Sequence, residues 1–438
     1  MDTMNMLHRR VTFSTSMLLI VSASALAEGP DDDKDWSWGV SANAGYFSFR
    51  NSLYVDREPD SPGNLGDDWF EFVLKPWAEF ERPVGDVTWF GKASWAYVRT
   101  DKSAAEISGG HADSADFDEL YLGFRKGSID TGQFEIAAGR YSYQLAHAFL
   151  LADGYADGGS RGGYWSNARM AWAPGGRIQY RKLGHTIEAF YLDRDDRPES
   201  DTDTTVAGIN YEWLSADERW NLGTSYLELS ANSTRARLDG ARVYNLRAFI
   251  QPFAVPLNIE MEFAREDNGE ALDSSAWYVM ADYSFNDSRW QPMLQYRYAF
   301  FEGDDPETSA DESFDPLFPG FRDWGTWWQG EIAGEYFLSN SNLKTHMLQL
   351  RLHPSAKIST GLLFFDYRLH QPASYQGGVN SKEIGQEVNF FLDWVATDLW
   401  NISFIIAHNQ PGEAVQEAHE RTQAFKYAMV YAVFSTSK

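Results

Sequence analysis

The sequence has no cysteine among its 438 residues. Disulfides, zinc–thiolate sites, thiol catalysis and iron–sulfur ligation are excluded together. It also lacks any run of about 18 consecutive apolar residues, so a spanning helix is not expected. Basic residues are scarce, 37 Lys and Arg against 63 Asp and Glu, for a formal charge of −26. Such a balance cannot neutralise a run of phosphates, which excludes nucleic acid as a partner. No HExxH or Walker loop occurs, and the nine His are scattered. An enzyme is therefore not expected, and no metal or cofactor is implied.

Aromatics, by contrast, are abundant: 16% of residues, with 17 Trp and 22 Tyr. That excludes a disordered chain. Yet the chain is hydrophilic on average. A buried soluble core does not need so many Trp and Tyr, whereas a surface with one apolar and one wet side does.

The first residues read as a secretory leader. His8, Arg9 and Arg10 are a basic start, Met17 to Ala27 an apolar run of about eleven residues, and Ala25-Leu26-Ala27 a small-x-small cleavage site. Residues 1–27 are thus expected to be a signal peptide and 28–438 a single domain.

From there on the hydrophobic period is two. Phe70, Phe72, Leu74, Ala78 and Phe80 alternate with Glu71, Lys75 and Glu79. Leu257, Ile259, Met261 and Phe263 alternate with Asn258, Glu260 and Glu262, and Leu294, Tyr296, Tyr298 and Phe300 with Gln295 and Arg297. Ile384, Val388, Phe390, Leu392 and Trp394 form another apolar row, and Phe425, Tyr427, Met429, Tyr431 and Val433 alternate near the C-terminus. Period two means strands with one apolar and one polar face. Runs of about 10–14 residues exceed a soluble strand and fit a tilted bilayer-crossing one. Trp69, Trp77, Tyr97, Tyr211, Trp213, Trp220, Tyr226, Trp394 and Trp400 cluster at run ends, as interfacial girdles do. The fold class expected is all-β: a transmembrane antiparallel β-barrel in a Gram-negative outer membrane.

Connections alternate short and long, the habit of such barrels, with the long loops outside. Arg82–Asp86, Gly127–Gly132 and Leu183–His185 are short, whereas Asn51–Asp68, Thr100–Asp116 and Tyr143–Asn167 are long. A direct count reaches nineteen strands, where a bacterial barrel takes an even number. The segment Trp324–Leu338 breaks the alternation. Its Trp324, Trp328, Ile332 and Tyr336 also fall at helical spacing. Glu302–Asn342 is therefore read as one long outer loop holding a short helix. The strand number becomes about 18.

Function should lie on the polar rows, which line the lumen. The basic residues there are Lys75, Lys92, Arg125, Arg177, Arg181, Arg247, Arg297, Arg351 and Arg368. The acidic ones are Glu71, Glu79, Glu119, Glu135, Glu188, Glu212, Glu228, Glu260, Glu262, Asp366, Glu387 and Asp393. Guanidinium groups grip carboxylates, and rings of charge select ions, but lumen charges also brace the wall as cross-strand pairs. The segment Tyr143–Trp165 is long and Gly-rich, yet holds Phe149, Leu150 and Leu151. It reads as a loop folded into the lumen and constricting the pore, the alternative being an outer loop packed on its neighbours.

Several short motifs resemble the alginate-export family of outer-membrane proteins. They are Asp118-Glu119-Leu120-Tyr121-Leu122-Gly123-Phe124-Arg125, Ala138-Gly139-Arg140, Leu151-Ala152-Asp153-Gly154 and Gly158-Gly159-Ser160-Arg161-Gly162. Glu188 to Asp195 and Asp323 to Glu331 add to them. The resemblance implies a monomeric barrel that lets a polyanionic polysaccharide leave the cell through an arginine-rich constriction. It also implies gating loops and a periplasmic partner with tetratricopeptide repeats. Arg125, on the inward row, and Arg161, in the constricting loop, are the positions it singles out. The expected function is an export-type channel passing a carbohydrate polymer or small organic anion such as alginate. Because carboxylates are at least as numerous as basic groups on the inner rows, a general or cation-preferring porin is the alternative. Partners expected on either reading are the outer-membrane lipid, lipopolysaccharide and the solute.

Overall fold

The computed structural model describes residues 35–51, 68–102, 111–320, 328–420 and 422–437. The leader read over 1–27, and Trp324, lie outside them. Eighteen antiparallel strands form one closed sheet in which β1 pairs with both β2 and β18. In chain order they are β1 (Trp36–Arg50), β2 (Asp68–Val84), β3 (Val87–Lys102), β4 (His111–Ser128), β5 (Gly132–Ser142), β6 (Ala171–Lys182), β7 (His185–Asp193), β8 (Thr205–Leu214) and β9 (Trp220–Ser230). They continue as β10 (Arg242–Ile250), β11 (Leu257–Asp267), β12 (Asp273–Ser284), β13 (Met293–Phe301), β14 (Leu343–Ser355), β15 (Ile358–Leu369), β16 (Glu383–Thr397), β17 (Trp400–Pro411) and β18 (Phe425–Ser437). Closure leaves no edge, as a strand-built protein in lipid requires. Among the described residues no helix is long and apolar enough to cross a membrane. β3 runs to Lys102 and β4 starts at His111, both further than the Thr100–Asp116 connection implied.

The short turns all lie at one end. β6 and β7 are joined by Leu183-Gly184 alone, with φ of +48° and +83°. Both values are positive, as a two-residue turn that follows the strand twist demands. Glu302–Asn342 is indeed one connection, between β13 and β14. Its helix is shorter than the spacing implied, a π-turn over Gly330–Gly334, and Trp328 precedes it with φ +53°.

Alternation sets the two faces. On β13, Leu294 and Tyr296 are 45% and 46% exposed and face lipid, while Gln295 and Arg297 are buried inside. The same rule turns Glu71, Lys75, Lys92, Glu135, Arg177, Glu188, Glu262 and Glu387 inward.

Four inferences about facing are corrected. Asp366 and Arg368 do not line the lumen. They share the outward row of β15 with Leu362 and Phe364, while Leu363, Phe365, Tyr367 and Leu369 point inward and are buried. Leu362 to Phe365 is apolar on both faces, so nothing local reveals the parity. Glu228 is likewise outward on β9, beside Tyr226, whose hydroxyl donates to it at 2.6 Å. Ile384 is turned inward by a register shift between Tyr367 and Arg368, opposite Gly385 with φ +148°. Finally, not all aromatics face lipid. Trp69 is fully buried within the barrel and stacks on Phe47 at 5.0 Å, and Phe425, Tyr427, Met429 and Tyr431 form an inward row.

Candidate functional site

Those inward aromatics exist because the long-loop end of the barrel is filled. Residues 143–170, between β5 and β6, fold into the lumen, and Leu145, Phe149, Leu150, Leu151 and Trp165 are buried. The loop between β13 and β14 meets them. Phe318 N donates to Leu150 O at 3.0 Å, and Ala152 N and Asp153 N donate to Phe318 O at 2.8 and 3.1 Å. Phe149 packs 5.3 Å from Tyr278 of the wall and 5.7 Å from Trp328 of the other loop. Tyr336 closes on Phe49 and Tyr427 at 4.8 and 5.8 Å. Apolar side chains that would be costly in a water-filled pore here cover one another. The two loops form a plug.

Buried loop backbone needs partners, and wall carboxylates supply them. Glu71 accepts Trp165 N at 3.0 Å, Ser166 N at 2.9 Å and Trp69 Nε1 at 3.0 Å. Asp118 accepts Met170 N and Ala171 N at 2.9 and 3.0 Å and pairs with Lys75, whose ammonium also donates to Ala168 O at 3.2 Å. Glu387 accepts Ile332 N at 2.9 Å, Ala333 N at 2.8 Å and Asn409 Nδ2 at 3.0 Å. Glu266 accepts Asp315 N at 2.9 Å, and Glu188 accepts the Tyr143 hydroxyl at 2.8 Å. Each is a charge-assisted anchor. These carboxylates hold loops and are withdrawn from water.

Asp118 was missed on the inner rows because it breaks their period. Asp118 and Glu119 together oppose Ser94 at a bulge, so both point inward. Glu119 then pairs with Lys92 at 2.6 Å.

His147, in the loop, stacks on Phe249 at 4.0 Å and meets Glu260 Oε2 at 3.1 Å. Burial alone would lower its pKa. The bond to Glu260 and the charges of Glu260, Glu262 and Glu212 outweigh that and raise it above the ordinary histidine value.

Arg161 belongs to the loop and is engaged by other loops. It donates to Asp195 Oδ1 and to the Asp195 and Asp196 carbonyls at 2.9–3.0 Å, and lies 4.3 Å over the Tyr155 ring. Arg169 covers the same ring at 4.3 Å and is buried with Asp157 at 2.5 Å. Arg194 and Arg235 flank Phe318 at 4.4 and 5.1 Å. This clamp ties the plug to the loop after β7. Tyr155 and Phe318, its centres, carry no period or motif that marks them in advance.

The remaining inner cations divide by wall. Lys92, Arg125, Arg177 and Arg181 come together on neighbouring rows of β3, β4 and β6, towards the short-turn end. Arg177 and Arg181 share Glu135 at 2.6 and 3.2 Å, and Arg125 pairs with Glu81. Their side chains stay 20–34% exposed. Across the barrel, Arg297 and Arg351 are buried. Arg297 lies 4.1 Å over Trp328 and donates to its carbonyl, and Arg351 lies over Phe391 at 5.4 Å. Among the described residues no group of three or more His, Asp or Glu could hold a metal ion.

A family model described as alginate export matches residues 166–429. Three solved structures from Pseudomonas aeruginosa are similar in fold. OpdK with vanillate is 12% identical, with 92% of this chain and 99% of that one covered and a TM-score of 0.60. OccK2 (OpdF) in complex with glucuronate is 14% identical over 92% and 98%, with a TM-score of 0.58. OccK5 (OpdH) is 11% identical over 92% and 98%, with a TM-score of 0.56. No curated protein matches the sequence.

Proposed function

The chain belongs to the alginate-export family of outer-membrane proteins, and from that premise we propose that it is a passive channel for carbohydrate or small organic anions, uronates among them. One observation carries this reading. The inner cations that keep part of the side chain in water, Lys75, Lys92, Arg125, Arg177 and Arg181, share one stretch of wall with the exposed Glu79 and Glu81, whereas Glu71, Asp118, Glu262, Glu266 and Glu387 are buried. Ion preference follows the charges that a permeating solute can reach, not the total on the wall. A guanidinium pair such as Arg177 and Arg181 suits a carboxylate, because each fork can offer two parallel donors. Two structural relatives were solved with small carboxylates, vanillate and glucuronate, which agrees in chemistry. The plug makes conduction depend on its movement or on a path beside it.

Planar-bilayer recording in a KCl gradient tests the reading. A reversal potential of anionic sign, and reduced current with glucuronate or oligouronates, are expected. Strong cation preference with no effect of uronates overturns it in favour of the cation-preferring porin.

A further inference from the structure

The outward face of the barrel holds a charged patch that neither the lipid chains nor the lumen explains. Lys344 on β14 and Arg368 on β15 are direct register partners on the outward rows. Leu369 N donates to Lys382 O at 2.8 Å, which brings Lys382 alongside. Lys344 also lies 5.6 Å over the Phe300 ring, and the His370 ring meets Phe300 at 4.9 Å. His370 Nδ1 accepts Gly303 N at 3.1 Å. Burial, then the charges of Lys344 and Lys382, hold His370 below its ordinary pKa, so both lysines bear on one spot.

Three acids lie nearby, and none of them forms an ion pair with Lys344 or Lys382. Asp366 takes Arg368 Nε at 3.1 Å and Gln386 Nε2 at 3.0 Å. Glu302 accepts Ser275 N and Oγ at 2.8 and 2.7 Å. Glu383 is the β16 register partner of Arg368. Lys344 and Lys382 have no carboxylate within ion-pair distance among the described residues. Like charges set directly opposite destabilise a sheet. Elsewhere on this rim a cation has a carboxylate in reach: Arg50, the register partner of Lys426, pairs with Asp68 and Arg99 with Asp101, both at 3.0 Å, and Arg265 pairs with Asp273.

Position supplies the rest. On the same outward rows, further from the loops, come Leu348, Leu362, Phe364 and Val388, all exposed. The cations therefore sit where the lipid-facing belt ends, at the level of headgroups on the long-loop side. Ammonium and guanidinium groups converging at a headgroup plane suit a phosphate, which would also relieve their repulsion.

We propose that Lys344, Arg368 and Lys382 form a docking site for the phosphorylated headgroup of an outer-leaflet glycolipid, lipopolysaccharide. The site rests on the outer-membrane placement of the barrel and not on what the lumen passes. The purified full chain in detergent micelles is titrated, by native mass spectrometry, with bisphosphorylated lipid A, dephosphorylated lipid A and inorganic phosphate. The wild type is expected to retain the bisphosphorylated form about tenfold or more better than a Lys344→Gln/Lys382→Gln variant. A Lys182→Gln/Lys357→Gln control at the short-turn end is expected to match the wild type. Equal retention by wild type and variant, or of the dephosphorylated lipid, overturns the site. Inorganic phosphate binding as tightly as the lipid also overturns it, in favour of a plain anion site. Folding is checked by heat-dependent gel mobility, and Lys382→Gln alone, outside the strands, serves if the double variant does not fold. Conductance recorded on the same samples separates failure here from failure of the channel reading.

Discussion

At the long-loop end of the lumen, charged wall residues bind the protein's own loops; at the short-turn end they remain in contact with water. Glu71 and Glu387 each accept two backbone N–H groups from the plug, whereas Arg177 and Arg181 divide one carboxylate between them. The same barrel wall thus serves as a socket above and as a charged surface below. A count of lumen charges by sign misses this, because half of the barrel has removed its acids from solution.

The contrast can be broken most strongly at Trp328. Its ring lies within 5.3–5.7 Å of Tyr278, Phe301 and Phe149 and beneath Arg297. Trp328→Ala is expected to cost the plug about 3–5 kcal/mol while sparing the strands. Single-channel current should rise and fluctuate, with heat-dependent gel mobility unchanged. An unaltered trace would place the resistance to flow elsewhere than in the plug.

Glu71→Ala is a smaller perturbation. It leaves the Trp165 and Ser166 amides without their acceptor, at about 1–3 kcal/mol. Hydrogen exchange at those two amides should speed up by roughly 10- to 100-fold, with little change in β2. Protection that survives the substitution would mean that packing alone holds the loop.

At the other end, Arg177→Gln/Arg181→Gln removes two of the water-exposed cations, both ion-pair partners of Glu135. The reversal potential should move toward cations, with a weaker effect of uronates, while amide protection in the plug stays as it was. A change in plug protection would show that the two ends are coupled.

The smallest effect concerns pH. His147 has a raised pKa in the folded plug, so the plug binds a proton more tightly than the free loop does. Its contribution is complete below about pH 6.5, the unfolded histidine value, and fades as pH rises through the folded one. Channel noise should therefore be lower at acidic than at alkaline pH, and His147→Gln should flatten that dependence. Noise that falls as pH rises would reverse the assignment.

How legible all this was depends on what each residue faces. Leu294, Tyr296, Tyr298 and Phe300 face lipid on one row and were readable as such, since the bilayer is a uniform apolar solvent that imposes strict alternation. Parity and helical spacing placed Glu302–Asn342 in a single loop, and Phe149-Leu150-Leu151 pointed to a loop folded inward. The reading failed where the inside is also apolar. Leu362 to Phe365 is hydrophobic on both faces, so Asp366 and Arg368 could not be assigned a side. Trp69 resembled a girdle residue because a tryptophan beside a plug and one beside lipid meet the same chemistry. Arg161, conspicuous in a Gly-rich loop, proved to be a brace because its partners Asp195 and Asp196 come from a different loop.

The class of structure was already set along the chain: strands of period two, alternating connections and a barrel. Those follow from local rules, since backbone satisfaction in lipid and side-chain alternation act residue by residue along each strand. Only the tertiary structure decided which lumen charges are available. A carboxylate on an inward row is either a socket or a pore-lining group, according to whether a loop from a distant strand arrives to bind it. Nothing within a strand's own length encodes that arrival.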